Sequence, residues 1–331
     1  MGGVELEGFP PAFSPEEFSQ RPAPPWLVPL YIPSGLTAWY GPTNSGKTFA
    51  ALDAGLGLAT GGHWAGQPLP QRNVMYFLAE GQGEASKRVE AWAAFHGSSL
   101  VSLEGRFWIV PQRLPLGGVV PDGINMAVVA KQLNIGLIIL DTWARTLEGD
   151  ENDNHEVSTT INLLTDIRAN SPGSDLSVWV VHHTGYASDT RMRGASAFAA
   201  ALDCEVRIEG HLNDPSAPHI QVVCTKQRDA AYFPPFILDA RDSGESIAFD
   251  PTPRQPINSV EVHAGGPDPG RKAVVVGLLH LGPRSAADLR EMSDISATGM
   301  KRVLEALVEV DGLVEEVPGR PMKYRLRQDR G

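Results

Sequence analysis

Residues 41–48 read Gly-Pro-Thr-Asn-Ser-Gly-Lys-Thr, and this spacing restricts the fold more than any other part of the chain. Glycines in such a loop let backbone N–H groups turn onto phosphate oxygens, and a helix starting there adds its positive end. The loop needs a strand to deliver it and a helix to continue it. Residues 36–40 form a short apolar run after Pro33-Ser34-Gly35, and residues 49–60 form a small-residue helix closed by Gly61-Gly62. The implied ligand is a nucleoside triphosphate, taken as ATP, held by Gly41, Thr43, Asn44, Ser45, Gly46, Lys47, Thr48 and Phe49. Lys47 would reach the β/γ-phosphates, and the Thr48 hydroxyl would ligate Mg²⁺.

The rest of the pattern extends this unit. Apolar strands are predicted at 74–79, 107–110, 137–140 and 177–181, with helices at 83–96, 123–134 and 155–169 between them. Alternation of this kind predicts an α/β fold, a mainly parallel sheet covered by helices on both faces. After residue 200, strands at 204–208, 220–225 and 236–240 follow without long helices, which predicts antiparallel strands finishing the sheet. Residues 1–25 read as an N-terminal arm or linker, and 26–250 as the nucleotide-binding domain. Residues 251–270, rich in Pro and Gly, read as a linker. Residues 271–331 give helices at 271–281, 286–292 and 298–310, then a hairpin over 313–326, the order of a small winged-helix domain.

Charge narrows the range of partners. The chain of 331 residues carries a net −11, which argues against a broad basic face for duplex DNA. Residues 270–331 hold 11 Lys and Arg against 9 Asp and Glu, whereas the remainder holds 17 against 30. Nucleic-acid contact is therefore expected to be local: a loop, a ring channel or the C-terminal segment. Cys204 and Cys224 lie in apolar runs and read as small core residues in a reducing cytoplasm. No stretch approaches the roughly 20 apolar residues of a membrane span, and no secretory signal opens the chain, so a cytoplasmic protein without membrane contact is expected.

Several strand ends carry candidate chemistry. Asp141 ends the most apolar strand, where a carboxylate supplies the second Mg²⁺ contact, or caps a turn. Glu80 ends the strand after the phosphate loop's helix and is placed to polarise the attacking water, or is a solvated helix-start glutamate. No acid directly follows Asp141, which favours Glu80 as the base. His182 and His183 end the next strand, and His183 is the better candidate for a γ-phosphate contact. The polar loop 184–196 offers Arg191 and Arg193 to the phosphates of a DNA strand, or is an ordinary solvated loop. Lys226 and Arg228, two apart on an extended chain, point the same way and suit a γ-phosphate offered by a neighbouring subunit, or form an exposed strand end.

Taken in order, these landmarks resemble the RecA-like P-loop ATPases, most closely the RepA-type hexameric replicative helicases and their phage and plasmid relatives. The resemblance covers about residues 25–240. It rests on the phosphate loop, Glu80, Asp141-Thr142-Trp143-Ala144-Arg145, His182-His183-Thr184-Gly185 and Arg193-Gly194-Ala195-Ser196. It implies a homo-oligomeric, hexameric ring that hydrolyses ATP with Mg²⁺ between subunits and translocates on single-stranded DNA. Replication or recombination proteins would be its other partners. Glu80 would be the base, His183 the sensor, and Lys226 with Arg228 the cations acting in trans. A Lys-x-Arg pair is more typical of DnaB-like and RecA-like branches, which leaves Arg193 and Arg207 as alternative fingers. A recombinase or strand-annealing ATPase, and a nucleotide-switched DNA-binding regulator, are the rival readings. The third helix of the C-terminal segment carries Lys301 and Arg302 among Glu305 and Glu309, so that segment suits either DNA or a protein partner.

Overall fold

In the computed structural model, strand and helix alternate as predicted as far as residue 185. The structure describes residues 12–20, 25–113, 122–147, 149–171, 176–185, 188–214, 217–254, 271–272, 275–276, 279, 283–291, 293, 295–310, 313–319 and 321–327. The strands are β1 (Trp26–Val28), β2 (Ile32–Pro33), β3 (Leu36–Gly41), β4 (His63–Trp64), β5 (Gln67–Pro68), β6 (Asn73–Leu78), β7 (Phe107–Val110), β8 (Ile135–Asp141) and β9 (Ser177–Gly185). After them come β10 (Ser188–Met192), β11 (Cys204–His211), β12 (His219–Gln227), β13 (Phe236–Ser243) and β14 (Ser246–Phe249). The helices of this region are α1 (Pro15–Ser19), α2 (Lys47–Thr60), α3 (Ala85–Phe95), α4 (Asp122–Gln132), α5 (Trp143–Thr146), α6 (Asn154–Ala169) and α7 (Ser196–Ala201).

One sheet runs in the order β14-β13-β12-β11-β3-β9-β8-β6-β7, with β10 hairpinned onto β9. Strands β11, β3, β9, β8, β6 and β7 are mutually parallel, and β12, β13 and β14 continue antiparallel. The strand starting at Cys204 therefore departs from the antiparallel expectation: it lies parallel to β3, with Cys204 opposite Thr37. The connection through β10 and the short α7 returns the chain to the same end of the sheet. That lets a parallel strand follow without a long helix.

Period-two alternation along the central strands sorts side chains onto two faces. Trp39, Ile139 and Val181 pack on one face with Trp64, Trp92 and the alanines of α2. Ala38, Ile138, Leu140 and Val180 pack on the other with α4, α6 and α7. Trp39 is fully buried, 5.6 Å from Trp64 and 4.9 Å from Trp179 between ring centroids. These two apolar layers hold the strand ends rigid where the functional side chains emerge.

Outside the sheet, three expectations need adjustment. Within the arm, α1 is a single turn closed by a Ser14–Glu17 capping box; residues 1–11 and 21–24 lie outside the described residues. Residues 251–254, read as the start of the linker, instead close onto β13. Ile237 and Arg254 exchange backbone hydrogen bonds of 2.8 and 3.0 Å, and the Arg254 guanidinium pairs with Asp239 at 2.9 Å. Residues 255–270 lie outside the described residues. In the C-terminal segment, residues 271, 272, 275, 276 and 279 are helical, and helices Ala286–Glu291 and Ala297–Glu305 follow. The last continues as a wider turn over Ala306–Val310 rather than as α-helix to residue 310. Strands β15 (Arg284–Ser285), β16 (Val314–Val317) and β17 (Lys323–Leu326) form a small sheet in the order β15-β17-β16.

Candidate nucleotide site

At the end of β3 the chain turns through residues 42–45 and enters α2 at Gly46, in the left-handed region at φ +87°. A side chain there would be strained, and its Cβ would also meet Ile220 at 2.9 Å. No side chain among the described residues caps this helix start, so the first-turn N–H groups of α2 are open to an anion. The loop is braced from behind by β11: a Cβ on Gly210 would stand 2.3 Å from the Ser45 carbonyl oxygen. Lys47 is buried, and its Nζ donates to the Pro42 carbonyl at 2.6 Å.

The strand order decides what faces the loop. β9 lies between β3 and β8, with His183 level with Gly41 and Asp141 level with Val181. Asp141 is buried at the end of β8; Tyr76 Oη donates to its Oδ2 at 2.8 Å, and Thr48 lines the same cleft. Its Oδ1 has no protein partner among the described residues. Burial raises the carboxyl above its ordinary range, against the opposing pull of Tyr76, Thr48 and Lys47. Glu80, just beyond β6, is exposed and accepts a 3.0 Å hydrogen bond from Arg145 Nε. Burial and then the Lys47 charge lower His183, so its imidazole is neutral near pH 7. Thr43, Asn44, Gly46, Lys47, Thr48, Phe49, Glu80, Asp141 and His183 share one cleft of about 560 Å³. Gly41 ends β3 and Ser45 is buried in the loop, neither lining the cleft, and the Ser45 hydroxyl has no protein partner among the described residues.

His182 has a different role. It is buried, its Nε2 donates to the Arg193 carbonyl at 2.7 Å, and burial pushes its pKa down to about 4. It is a neutral packing and hydrogen-bonding residue, turned away from the cleft.

The remaining candidates lie elsewhere. Within the predicted loop 184–196, residues 188–192 form β10, which pairs antiparallel with the end of β9, and residues 186 and 187 lie outside the described residues. Arg191 is exposed on that hairpin, while Arg193 ion-pairs with Glu151 and its N–H donates to the His183 carbonyl at 3.1 Å. Arg207, opposite Tyr40, pairs with Glu209. Lys226 stands opposite Glu205, which is level with Ala38 near the start of β3. Lys226 and Arg228 therefore lie toward the end of the strands opposite the phosphate loop and do not line their own chain's cleft. Both bond to α7: Lys226 Nζ to the Ala199 carbonyl at 2.6 Å and Arg228 Nη2 to the Ala200 carbonyl at 2.8 Å.

Sequence reading misses part of the cleft wall. Arg88 lies over the Phe49 ring at 4.7 Å from its centroid. Leu212 and Asn213 at the β11–β12 turn, and Ser246 and Ile247 at the start of β14, complete the side away from Asp141. These positions carry no local motif; only the tertiary fold brings them to the loop. The Tyr76–Asp141 and Arg145–Glu80 pairings are equally unsignalled, the partners lying 65 residues apart in each.

The donor set fits a magnesium-bound triphosphate. Open helix-start N–H groups and Lys47 offer positive ends, and Thr48 with the unpartnered Asp141 oxygen offers the two hard oxygen ligands that Mg²⁺ prefers. Mg²⁺, when bound, offsets phosphate charge. Lys47 also sets a pH limit. Burial pushes its pKa down to about 8, against the raising pull of Asp141 and Glu80. Only the charged amine pairs with phosphate, so binding above that value takes up a proton. Affinity for Mg–ATP is expected to fall by about tenfold one pH unit above it. Dissociation constants measured from neutral to alkaline pH check this; a flat profile would contradict it.

A phosphate loop at the end of a parallel strand, a buried aspartate two strands away and a polar strand end between them define a P-loop ATPase domain. The AAA domain family's model matches residues 8–189, more than half of the 331-residue chain, and the chain belongs to that family. No curated protein matches it. Among solved structures it is similar to a KaiC-like protein from the hyperthermophilic archaeon Pyrococcus horikoshii OT3, at 14% identity over 69% of this chain and 95% of that one, TM-score 0.44. It is also similar to the RadB recombinase, at 18% identity over 65% of this chain and 90% of that one, TM-score 0.44.

Proposed function

We propose that this ATPase domain is a motor on single-stranded DNA, a replicative helicase of the RepA type that works as a ring of about six subunits. The observation that carries this reading is the position of Lys226 and Arg228. Lys47 and Arg88 are the Lys and Arg side chains among the described residues that line the chain's own cleft. The Lys-x-Arg pair sits toward the opposite end of the strands, where it suits a neighbour's γ-phosphate. Thr48 and Asp141 hold Mg²⁺ in this reading. Glu80 takes a proton from the attacking water as its oxygen bonds to the γ-phosphorus and the β–γ bridge breaks, and His183 contacts the γ-phosphate. The β9–β10 hairpin starts at His183 and presents Arg191 to the DNA backbone. The C-terminal helices with the β16–β17 hairpin serve as a winged-helix-like module for DNA or a protein partner.

ATP turnover with and without a single-stranded oligonucleotide, paired with a native mass measurement, tests the reading. Stimulation on the order of tenfold or more, the usual scale of coupling between two sites, and about six subunits are expected. A helical filament would favour the recombinase alternative. A monomer with DNA-independent turnover would overturn both.

A further inference from the structure

The short helix α7 packs between segments adjoining the cleft residues and the Lys226–Arg228 pair. Its entry is tied to the segment after Asp141: the Ala195 N–H donates to the Glu151 carbonyl at 2.8 Å, and the Ala197 N–H to Asn154 Oδ1 at 3.2 Å. Its only buried aromatic side chain, Phe198, stacks on Trp143 with centroids 4.3 Å apart and planes at 22°, and meets His182 edge-on at 5.6 Å. Trp143 lies two residues after Asp141 and two before Arg145, which holds Glu80. His182 precedes His183 in the cleft. The far end of α7 presents the Ala199 and Ala200 carbonyls to Lys226 and Arg228. Cations on the last carbonyls of a helix satisfy otherwise orphaned acceptors, so these bonds are favourable and hold both side chains to their own subunit.

We propose that α7 couples the cleft to the Lys226–Arg228 pair, with Phe198 as the positioning residue. The inference rests on the reading of that pair as cations acting in trans. Packed aromatic contacts shift between discrete arrangements rather than stretching. A triphosphate that moves Asp141 and His183 moves Trp143 and His182, and Phe198 follows them or a void opens. A helix of six residues, about 9 Å long, moves as a unit. Its carbonyls then shift under Lys226 and Arg228, releasing or re-aiming them. In the geometry described, the pair is sequestered.

Hydrogen exchange of the full chain, with and without Mg–ATPγS, tests this. Peptides covering residues 196–201 and 225–228 should change exchange rate by roughly fivefold or more on nucleotide binding. Phe198→Leu should keep nucleotide affinity within about twofold and lose that change, and Trp143→Phe, which keeps a stacked ring, should retain it. A parent chain that binds nucleotide without a response in these peptides, or the same response in Phe198→Leu, overturns the proposal. If Phe198→Leu does not fold, the double variant Lys226→Met/Arg228→Met, which removes both bonds to α7, decides: the response should persist in 196–201 and vanish in 225–228, and a response kept in both overturns the coupling. The readout needs no DNA and no ring, so a failed motor reading shows separately, as absent DNA stimulation beside intact exchange coupling.

Discussion

Lys47→Ala is expected to lower ATP turnover by about 10²–10³, the usual effect of losing one preorganised charge donor at a site of developing negative charge. The loop itself should survive. Its shape comes from the 42–45 turn, the left-handed Gly46 and the brace from β11 behind Ser45, none of which needs the ammonium. Removing Lys47 costs one hydrogen bond to the Pro42 carbonyl and relieves the burial of a cation, two opposing effects of similar size. Thermal unfolding should therefore shift little while turnover collapses. A variant that keeps parental turnover would remove the phosphate site from residues 41–48.

Glu80→Gln should separate binding from chemistry. Gln keeps the shape and can still accept from Arg145 through its amide oxygen, but it cannot take a proton from water. General-base removal is worth about 10²–10⁴ in rate. Turnover should fall within that range, while the dissociation constant for Mg–ATP stays close to the parent's. Loss of affinity in step with turnover would instead identify Glu80 as part of the phosphate-binding surface. Unchanged turnover would make it a solvated glutamate, with its Arg145 pair a surface contact of the ordinary kind.

Much of this centre is legible in the sequence because the relevant side chains sit at the ends of continuous apolar runs. A strand buried on both faces has one place for a polar residue near a ligand, and Asp141, Glu80 and His183 each occupy it. Lys226 and Arg228 are legible as a same-facing pair for the same reason of period two. What they touch is not legible, because the α7 carbonyls that hold them lie 26 to 28 residues earlier in the chain. His182 and His183 differ by one register position, yet one is turned into the α7 packing and the other into the cleft. Period-two alternation separates them, but which of the two faces the cleft is decided only by the tertiary fold. The parallel setting of β11 is hidden because α7 is too short to read as a crossover helix. The Arg88, Asn213 and Ile247 wall is hidden because a helix, a turn and a strand far apart in the chain meet only in the fold.

The placement of β3 at the centre of that sheet also orders events during synthesis. The strand that carries the phosphate loop is bounded by β9 and β11. Gly35 N–H reaches Ser177 Oγ across 142 residues of chain, and Leu36 N–H reaches Asp203 across 167. At ribosomal speeds the wait for both partners is on the order of ten seconds or more. Throughout it, the nascent chain displays a complete nucleotide-binding motif beside two unfilled strand edges, and has no site.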